Sequence, residues 1–456
     1  MAPTRFGTDG VRGVANEELT PELALALGRA AARVLPAPTF VVGRDTRRSG
    51  PLLQAAFSAG LAAEGADVVD LGVLPTPGVA AVAEHRKAPG AVISASHNPF
   101  GDNGIKLFSL LGTKLPVEVE GEIEHQLDSI LADPDRPPRR PTGHGVGVIT
   151  TDPEAVELYE AHLVATAAGR RLDGLRIVVD CANGAASAIA PRVLSDLGAR
   201  VTALHDAPDG ANINDKCGST DPADLARAVV EHEADFGLAF DGDADRVIAV
   251  DHRGTVVDGD VLLALFALDL AELGQLTGNT VAVTVMTNLG FRLAMEAHGI
   301  AVRETDVGDR HVLAALDADG LALGGEQSGH IIFRARSTTG DGILTGIALA
   351  DLVQRSGRSL ADLSEGLVER VPQRLVNVPI PQPERLADCA EVWDAVVKAE
   401  AELGHEGRVL LRPSGTEPLV RVMVEARVEA QANAVAAQLA GVVEAALGQI
   451  EPQAPR

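Results

Sequence analysis

One pattern occurs three times along the chain and limits the folds that the chain can adopt. In each copy, an apolar strand is followed by a polar turn, an amphipathic helix, a glycine and a second strand; the copies begin at Phe40, Arg176 and Thr280. A glycine just after the last helical turn is a common C-terminal cap. Strands that are joined through a helix pair in parallel with a right-handed crossover. The repeat therefore predicts three related α/β units.

Each copy of the pattern is followed by a further apolar strand that ends in a polar loop. The three loops are SASHNP at residues 94–99, DGDADR at residues 241–246 and GGEQSGH, which ends at residue 330. Ligands of open α/β sheets bind beyond the carboxyl ends of the strands. We therefore expect the three equivalent loops to contribute to one composite site.

The C-terminal part of the chain has a different pattern. From about residue 367, a strand and a long helix are followed by two strands joined by RPSGTEP, and then by a final helix. This order is typical of a small α+β domain. The predicted fold class is therefore α/β, with three tandem related α/β domains of mixed sheets and a smaller α+β C-terminal domain. The predicted domains are residues 1–150, 151–252, 253–366 and 367–456.

Charge and composition exclude several classes of protein. The chain has 39 Lys and Arg against 64 Asp and Glu, a formal charge of −25, and such an acidic chain repels nucleic-acid backbones. Its three cysteines, Cys181, Cys217 and Cys389, are far apart and have no zinc-site spacing. The most apolar run, residues 261–268, is too short to span a bilayer, and the N-terminus has no signal-peptide pattern. We expect a cytoplasmic protein with no nucleic-acid or membrane partner.

The loop DGDADR places three aspartates, Asp241, Asp243 and Asp245, at alternate positions. Alternation at a strand end would point all three carboxylates the same way, and three converging anions need a cation. Ligand sets made only of oxygen favour Mg²⁺ or another hard divalent ion. An EF-hand is excluded, because Arg246 and His252 stand where it needs Gly and Glu. The alternative interpretation is a solvated acidic turn.

The loop SASHNP offers two hydroxyls, one imidazole and one amide. A serine hydroxyl in it can act as a nucleophile if one group takes its proton and another neutralises its charge. Taken alone, the loop fits an ordinary Ser/Asn-Pro turn better. Lys106, a short distance downstream, is a candidate base if burial or neighbouring cations lower its pKa, and otherwise a surface lysine.

Two further loops have side chains suited to a phosphosugar. RPSGTEP combines a guanidinium, hydroxyls and an unobstructed glycine amide, which are typical of a phosphate cradle, although Pro-Ser-Gly-Thr is also a common turn. GEQSGH mixes acceptors and donors that suit sugar hydroxyls, and its alternative is a capping turn. No GxxxxGK[ST] motif is present, so a P-loop is excluded.

Six motifs occur in order between residue 5 and about residue 425: FGTDGVRG, SASHNPFGDNGIK, DGDADR, VGDR, GEQSGH and RPSGTEP. Together they resemble the α-D-phosphohexomutase family, and most closely its branch that interconverts glucosamine 6-phosphate and glucosamine 1-phosphate for UDP-N-acetylglucosamine synthesis. The resemblance implies four domains around a central cleft, a small phosphosugar substrate, and a monomer or homodimer. The alternatives are phosphomannomutase/phosphoglucomutase activity and, less favoured, a sugar-phosphate sensor without activity.

The resemblance also assigns roles to residues of this chain. Ser96 is the phosphoserine that donates and recovers the phosphoryl group. One Mg²⁺ per chain is bound by Asp241, Asp243, Asp245 and phosphorylated Ser96. Lys106 is the general base, and the other residues lining the reaction centre are Arg12, His97 and Arg246. The sugar is bound by Gly308, Asp309, Glu326 and Ser328. The non-reacting phosphate is bound by Arg412, Ser414, Gly415, Thr416 and Arg421.

Overall fold

The computed structural model describes residues 6–7, 9–132, 140–414 and 418–448. These residues form two compact units. The first comprises the described residues up to 284 together with residues 301–365. The second comprises residues 285–300 together with the described residues from 366 onward.

The first sheet contains the predicted nucleophile loop. Its strands are β1 (Val11–Val14), β2 (Thr39–Arg44), β3 (Asp67–Val73), β4 (Gly90–Ile93), β5 (Asp102–Phe108) and β6 (Ile149–Thr151). Their order is β1-β5-β4-β2-β3-β6; β2, β3, β4 and β6 run parallel, whereas β5 is antiparallel to β4 and to β1. The helices of this region are α1 (Pro21–Val34), α2 (Gly50–Ala63), α3 (Thr76–Arg86), α4 (Val117–Ala132) and α5 (Ala155–Thr166).

The second sheet contains the aspartate loop. Its strands are β7 (Arg176–Asp180), β8 (Arg200–Leu204), β9 (Phe236–Phe240), β10 (Val247–Asp251) and β11 (Val256–Val257). Their order is β11-β10-β9-β7-β8, with β7, β8 and β9 parallel and β10 antiparallel to its neighbours. The helices here are α6 (Ala190–Asp196) and α7 (Ala223–Glu231).

The third sheet has the order β13-β12-β14-β15. Its strands are β12 (Thr280–Thr284), β13 (Ala301–Thr305), β14 (Leu323–Gly325) and β15 (Ile331–Phe333). The helices of this stretch of the chain are α8 (Gly259–Glu272), α9 (Leu289–Ala297), α10 (Asp309–Asp319), α11 (Gly342–Ser356) and α12 (Leu360–Ser364). The apolar run at residues 261–268 lies inside α8, which is buried along most of its length. None of the helices in the described part of the chain has the length and apolarity needed to cross a bilayer.

The same connection order is found in all three sheets. Two parallel strands are joined through a helix, and a third parallel strand then turns back through an antiparallel hairpin: β4–β5, β9–β10 or β14–β15. The glycines after the connecting helices, Gly65, Gly198 and Gly299, have φ of 98°, 107° and 68°, which favour glycine. The prediction of three related α/β domains with mixed sheets is therefore confirmed.

The second unit contains a small antiparallel sheet with the order β16-β18-β17. Its strands are β16 (Gln373–Pro379), β17 (Gly407–Pro413) and β18 (Leu419–Ala426), and its long helices are α13 (Ala390–Leu403) and α14 (Glu429–Leu447). On β18, Val420, Val422 and Val424 point to one face and pack in a common core with apolar residues of the two helices. The predicted α+β C-terminal domain is confirmed, and the boundaries at residues 150, 252 and 366 stay predictions.

Candidate active site

The polar loops of the three hairpins meet within the first unit. The β4–β5 loop carries Ser96, and the β9–β10 loop carries Asp241 and Asp245; Ser96 Oγ donates a hydrogen bond to Asp241 Oδ2 at 2.5 Å. The β14–β15 loop carries His330, whose Nδ1 lies 3.7 Å from Asp245 Oδ2. Equivalent strand ends on three sheets thus supply one cluster of polar side chains, as the repeat predicts.

The sequence pattern predicts that the three aspartates converge because they alternate at a strand end. In the structure they converge through a turn instead, so that explanation is wrong. Strand β9 ends before them, and Ala244 between them has a left-handed φ of 54°. The oxygens of Asp241, Asp243 and Asp245 lie within 4.8 Å of one another, and all three side chains are buried. Gly242 lets the turn approach the nucleophile loop, since a Cβ there would lie 2.6 Å from the Ser96 carbonyl oxygen.

Two observations show that the aspartate triad could hold a cation. Oδ1 of Asp243 and Oδ1 of Asp245 are buried and have no hydrogen-bond partner among the described residues. Burial and the neighbouring carboxylates of Asp245 and Asp243 raise the pKa of Asp241 well above its usual value. Buried acceptors without donors are costly, and an all-oxygen donor set matches a hard divalent ion. The solvated-turn alternative is therefore excluded.

Lys106 is buried on β5 and is not a surface lysine. Its Nζ donates to Asp243 Oδ2 at 2.8 Å, and it lies 3.2 Å from Asp9 Oδ2 and 3.4 Å from Asp245 Oδ2. Burial lowers the pKa of Lys106, but the carboxylates of Asp243, Asp9 and Asp245 outweigh this effect and raise it overall. In this environment Lys106 is a cation, so its role as general base stays a prediction that requires loss of its proton.

The backbone of the nucleophile loop is held by Arg47. The fully buried guanidinium of Arg47 donates from Nη2 to the carbonyl oxygens of Ser96 and Asn98, at 2.9 and 2.8 Å, and from Nη1 to Asp102 O at 3.1 Å. Asp45 Oδ2 accepts from Nε of the same group at 2.9 Å. Ser96 is held at a φ of 52°, which a serine rarely adopts. No pattern in the sequence singled out Arg47.

The two serines of this loop have different environments. Ser94 Oγ donates to Asp45 Oδ2 at 2.7 Å and accepts the Ser96 N–H at 2.9 Å, so it supports the loop. Ser96 Oγ instead faces the aspartate triad. The structure therefore separates a supporting hydroxyl from the one available for chemistry.

Two arginines and one histidine lie beside the serine. Nη1 of Arg246 lies 3.1 Å from Nδ1 of His97, which is 3.4 Å from Ser96 Oγ. Burial, followed by the charges of Arg246 and Arg12, lowers the pKa of His97 to about 4, so its ring is neutral at pH 7. Arg12 on β1 contacts Asp9, the carboxylate that also faces Lys106. All five residues predicted for the reaction centre thus lie around the triad.

Three of the four residues predicted to bind the sugar form one cluster. Glu326 Oε1 accepts the N–H of Gly308 at 3.2 Å, and Glu326 Oε2 accepts the hydroxyl of Ser328 at 3.3 Å. The fourth residue, Asp309, is engaged differently: its Oδ1 accepts from Lys114 at 2.7 Å, and its Oδ2 lies 3.6 Å from His330 Nε2. Glu326 and Ser328 are therefore the better placed of the four for polar recognition.

Three further residues of the cluster were not identified from the sequence. Lys114 Nζ bridges Asp9 Oδ1 at 2.8 Å and Asp309 Oδ1, and Thr76 Oγ1 donates to Asp243 Oδ2 at 2.6 Å. Asp9 lies inside the motif FGTDGVRG, which could have pointed to it. Lys114 and Thr76 lie outside every motif, so only the fold reveals them.

In the second unit, the predicted phosphate loop joins β17 to β18. Arg412 and Arg421 are directly opposite on these two strands. Burial, followed by the charge of Arg421, lowers the pKa of Arg412. Like charges in a cross-strand pair destabilise each other, and a bound anion would relieve the repulsion. Ser414 directly follows β17, whereas Gly415 and Thr416 fall outside the described residues.

Sequence comparison identifies the class of protein that this fold and cluster define. Four family models of phosphoglucomutase/phosphomannomutase match consecutive segments: alpha/beta/alpha domain I at residues 3–133, domain II at 157–254, domain III at 258–371 and the C-terminal domain at 375–442. The chain belongs to the phosphoglucomutase/phosphomannomutase family, which confirms the resemblance seen in the motifs.

Individual relatives within this family show which of its enzymes the chain is similar to. Phosphoglucosamine mutase of Symbiobacterium thermophilum is 54% identical over 98% of this chain and 100% of that protein. Other curated relatives at 52–53% identity are also phosphoglucosamine mutases, which are mutases of the isomerase class.

Solved structures show the same fold. A family protein from Burkholderia thailandensis has a TM-score of 0.78 and 25% identity, covering 98% of each chain. N-acetylphosphoglucosamine mutase of Aspergillus fumigatus, in complex with GlcNAc-6P and magnesium, has a TM-score of 0.68 at 19% identity, covering 97% of this chain and 96% of that one.

Proposed function

We propose that this protein interconverts glucosamine 6-phosphate and glucosamine 1-phosphate through a phosphoserine at Ser96. One observation supports this proposal most directly. In a chain 54% identical to a phosphoglucosamine mutase, the buried Ser96 hydroxyl lies 2.5 Å from an aspartate triad with unsatisfied oxygens. A nucleophile beside a cation site and several fixed positive side chains is the arrangement that phosphoryl transfer requires.

The proposed cofactor is one Mg²⁺ per chain, held by Asp241, Asp243, Asp245 and phosphorylated Ser96. All-oxygen ligands suit this ion, and the Aspergillus fumigatus enzyme of the same fold was solved with magnesium. The ion would supply positive charge against the oxygens of the transferring phosphoryl group.

In the proposed reaction, side chains of the chain itself carry the phosphoryl group, accept the proton and supply further positive charge. In the first transfer, the bond between phosphorus and Ser96 Oγ breaks and a bond to the free sugar hydroxyl forms, while that hydroxyl loses its proton. Lys106 is the candidate acceptor of this proton, provided that it enters the step uncharged. Arg246 and Arg12 add fixed positive charge near the serine, which costs no reorganisation during the transfer.

The second transfer returns the other phosphate of the bisphosphate intermediate to Ser96. The intermediate must turn over between the two steps, so its sugar and its distal phosphate need contacts that work in both orientations. Glu326, Ser328 and Gly308 are proposed to bind sugar hydroxyls. The distal phosphate is proposed to be bound by Arg412, Ser414, Gly415, Thr416 and Arg421, with Arg412 and Arg421 placed as a pair on β17 and β18.

The phosphoserine is tested by mass spectrometry of the purified protein. Intact mass before and after phosphatase treatment is expected to show one phosphate, and peptide mapping is expected to place it on Ser96 and not on Ser94, the matched serine of the same loop. A protein that becomes phosphorylated only elsewhere, even after incubation with glucose 1,6-bisphosphate, would contradict the proposal.

The substrate is tested by comparing kcat/KM for glucosamine 6-phosphate, glucose 6-phosphate and mannose 6-phosphate. We expect the highest value for glucosamine 6-phosphate, with the phosphate retained in the sugar product. A preference for mannose or glucose phosphate would support the phosphomannomutase/phosphoglucomutase alternative. Release of inorganic phosphate as the main product would indicate a phosphatase, and no turnover would indicate a sensor.

The remaining expectations concern the state of the protein in the cell. We propose a cytoplasmic monomer or homodimer that uses neither nucleic acid nor membrane as a partner. Light scattering of the purified protein at working concentration distinguishes the two oligomeric states, and a larger assembly would contradict both.

A further inference from the structure

A second cluster of metal-binding side chains lies on the same sheet as the aspartate triad. Asp180 is the last residue of β7, His205 follows directly after β8, and Cys217 ends the loop that His205 begins. One carboxylate oxygen, one imidazole nitrogen and the thiol sulfur of these residues lie within 4.8 Å of one another. The three residues are far apart in the sequence and are brought together by two parallel strands and a loop. This is why the cysteines show no zinc-site spacing.

The distance between two of these groups matches a pair of metal ligands. His205 Nδ1 is buried and is paired with Asp180 Oδ1, 3.1 Å away. Two donors bonded at about 2.0 Å to one tetrahedral ion are about 3.3 Å apart. An ion between them would replace this direct contact with two metal–ligand bonds.

A second carboxylate, that of Asp224, lies beside the other nitrogen of the His205 imidazole. His205 Nε2 lies 3.6 Å from Asp224 Oδ2. Metal-binding histidines usually donate the N–H of their second nitrogen to a carboxylate, which fixes the tautomer and leaves the first nitrogen free for the ion. His205 also has a left-handed φ of 46°, so the turn directs its ring toward Asp180 at some cost in backbone strain.

Asp180 has hydrogen bonds that a bound ion would not displace. Its two oxygens accept the N–H groups of Ala182 and Gly218, each at 2.9 Å. A carboxylate has about four lone-pair sites, so two remain for an ion or another donor. These bonds hold the carboxylate in place next to His205 and Cys217, which pre-forms the site.

The thiol of Cys217 is buried among acidic groups. Burial, followed by the carboxylates of Asp180, Asp215 and Asp221, raises the pKa of Cys217 to about 12. A divalent cation reverses this effect, because a coordinating thiol gives up its proton, here to the solvent. The same carboxylates that disfavour a free thiolate attract the cation that would stabilise it.

We propose that Asp180, His205 and Cys217 form a second divalent-cation site with one sulfur, one nitrogen and one oxygen ligand. This mixed donor set selects a borderline-soft ion such as Zn²⁺ over Mg²⁺, which prefers oxygen alone. A water molecule would complete four-coordination.

The site would fix both ends of a loop that reaches the nucleophile. Between His205 and Cys217, Asn214 donates from Nδ2 to the carbonyl oxygens of Ser96 and Asn98, at 2.9 and 3.0 Å. An ion bound at the base of this loop would hold Asn214 against the loop of Ser96. The binding site itself does not depend on the proposed mutase reaction.

Cobalt tests the site, because a thiolate–Co²⁺ bond gives a charge-transfer absorption in the near ultraviolet that oxygen ligands do not give. The full-length protein is titrated with Co²⁺ in the presence of saturating Mg²⁺, which occupies the aspartate triad. We expect one equivalent of Co²⁺ with the thiolate band in the unsubstituted protein and in Cys389→Ser, the matched control in the second unit. The band is expected to be lost in Cys217→Ser.

A second variant keeps the test independent of a folding defect in Cys217→Ser. His205 is partly exposed, so His205→Gln is expected to fold, and circular dichroism checks both variants. We expect His205→Gln to weaken Co²⁺ binding by about tenfold or more. Absence of the band at excess Co²⁺, or an unchanged band in folded Cys217→Ser, would overturn the proposal.

Discussion

Two triads of polar side chains stand at the carboxyl edge of the same five-stranded sheet. The aspartate triad follows β9, whereas the Asp180–His205–Cys217 cluster lies at the ends of β7 and β8, and β9, β7 and β8 are adjacent parallel strands. The first triad has only oxygen donors and lies beside Lys106 and Arg246. The second has three different donor atoms and no lysine or arginine ion pair among its described contacts.

The difference shows that the sheet sets the position of a site, while the loops set its chemistry. Both triads use the same edge, where the ends of parallel strands place loops side by side. The β9 loop places Asp241 within hydrogen-bond distance of Ser96 Oγ, so we propose that this loop combines a cation site with a nucleophile. In the second cluster the nucleophilic group, the Cys217 thiol, is itself a proposed metal ligand, so we assign to this cluster binding and not turnover. Four experiments can sharpen or break this contrast.

The largest expected effect is that of Ser96→Ala. Removing the hydroxyl leaves the aspartates without a phosphoryl carrier, so kcat should fall by at least about 10³-fold. Ser94→Ala, the control in the same loop, loses a support of the backbone and should lower kcat by only about tenfold. Equal effects of the two substitutions on the initial rate would refute the distinction between the two hydroxyls.

The second-largest effect on activity is expected for Asp243→Asn. The amide keeps the shape of the side chain but removes one negative charge from the triad, so we expect a kcat about 10²-fold lower and a higher Mg²⁺ concentration for half-maximal activity. Activity is measured against Mg²⁺ concentration after removal of divalent ions with EDTA. The thiolate–Co²⁺ band of the other cluster should not change. A change in that band would mean that the two triads are not separate sites.

A smaller effect is expected for Arg47→Lys. Lysine keeps the positive charge near Asp45 but lacks the planar fork that reaches the carbonyl oxygens of Ser96, Asn98 and Asp102. We expect a kcat about tenfold lower with little change in KM, because the loop is misplaced while substrate contacts remain. The fraction of phosphorylated Ser96 should fall in parallel. A loss of thermal stability alone, with normal kcat and phosphorylation, would limit Arg47 to a structural role.

The smallest effect concerns Asp341, a buried carboxylate that forms no ion pair with a lysine or arginine in the described part of the chain. Asp341 accepts the N–H of Leu344 at the start of α11 and the hydroxyl of Tyr159, yet burial raises its pKa to about 6. The folded protein therefore binds this proton more tightly than the unfolded chain does. This contribution to stability is complete below about pH 4 and is lost as the pH rises toward 6.

Asp341→Asn removes this pH dependence and retains an oxygen acceptor for the cap. The urea midpoint should fall less between pH 4 and 7 in Asp341→Asn than in the unsubstituted protein, with a difference of about 2–3 kcal/mol in the free energy of unfolding. Identical pH profiles for the two proteins would show that the Asp341 pKa is not shifted.

The fold was largely predictable from the sequence, because each repeat combines apolar periodicity with a glycine at a helix end. Gly65, Gly198 and Gly299 mark the same point in each copy, and strands joined through a helix have only one common pairing. The positions of Ser96 and the three aspartates followed from strand ends. These are local signals, and local signals can be read from one sequence.

The long-range contacts of the site were not predictable in the same way. Lys114 joins Asp9 to Asp309, residues far apart in the chain, and no pattern around Lys114 indicates this contact. His205 and Cys217 likewise meet Asp180 only because β7 and β8 are neighbours. The convergence of the aspartates also had a different cause from the one expected, since it depends on a left-handed residue inside a turn.

The proposed roles in the reaction are distributed over the three hairpins. The proposed phosphoryl carrier, the proposed cation ligands and two of the proposed sugar contacts, Glu326 and Ser328, lie in separate hairpin loops on separate sheets. Substitutions of Glu326 or Ser328 are therefore expected to alter which hexose is accepted while leaving the proposed transfer chemistry on the other two hairpins intact. Such a modular layout gives one scaffold a physical route to new substrates.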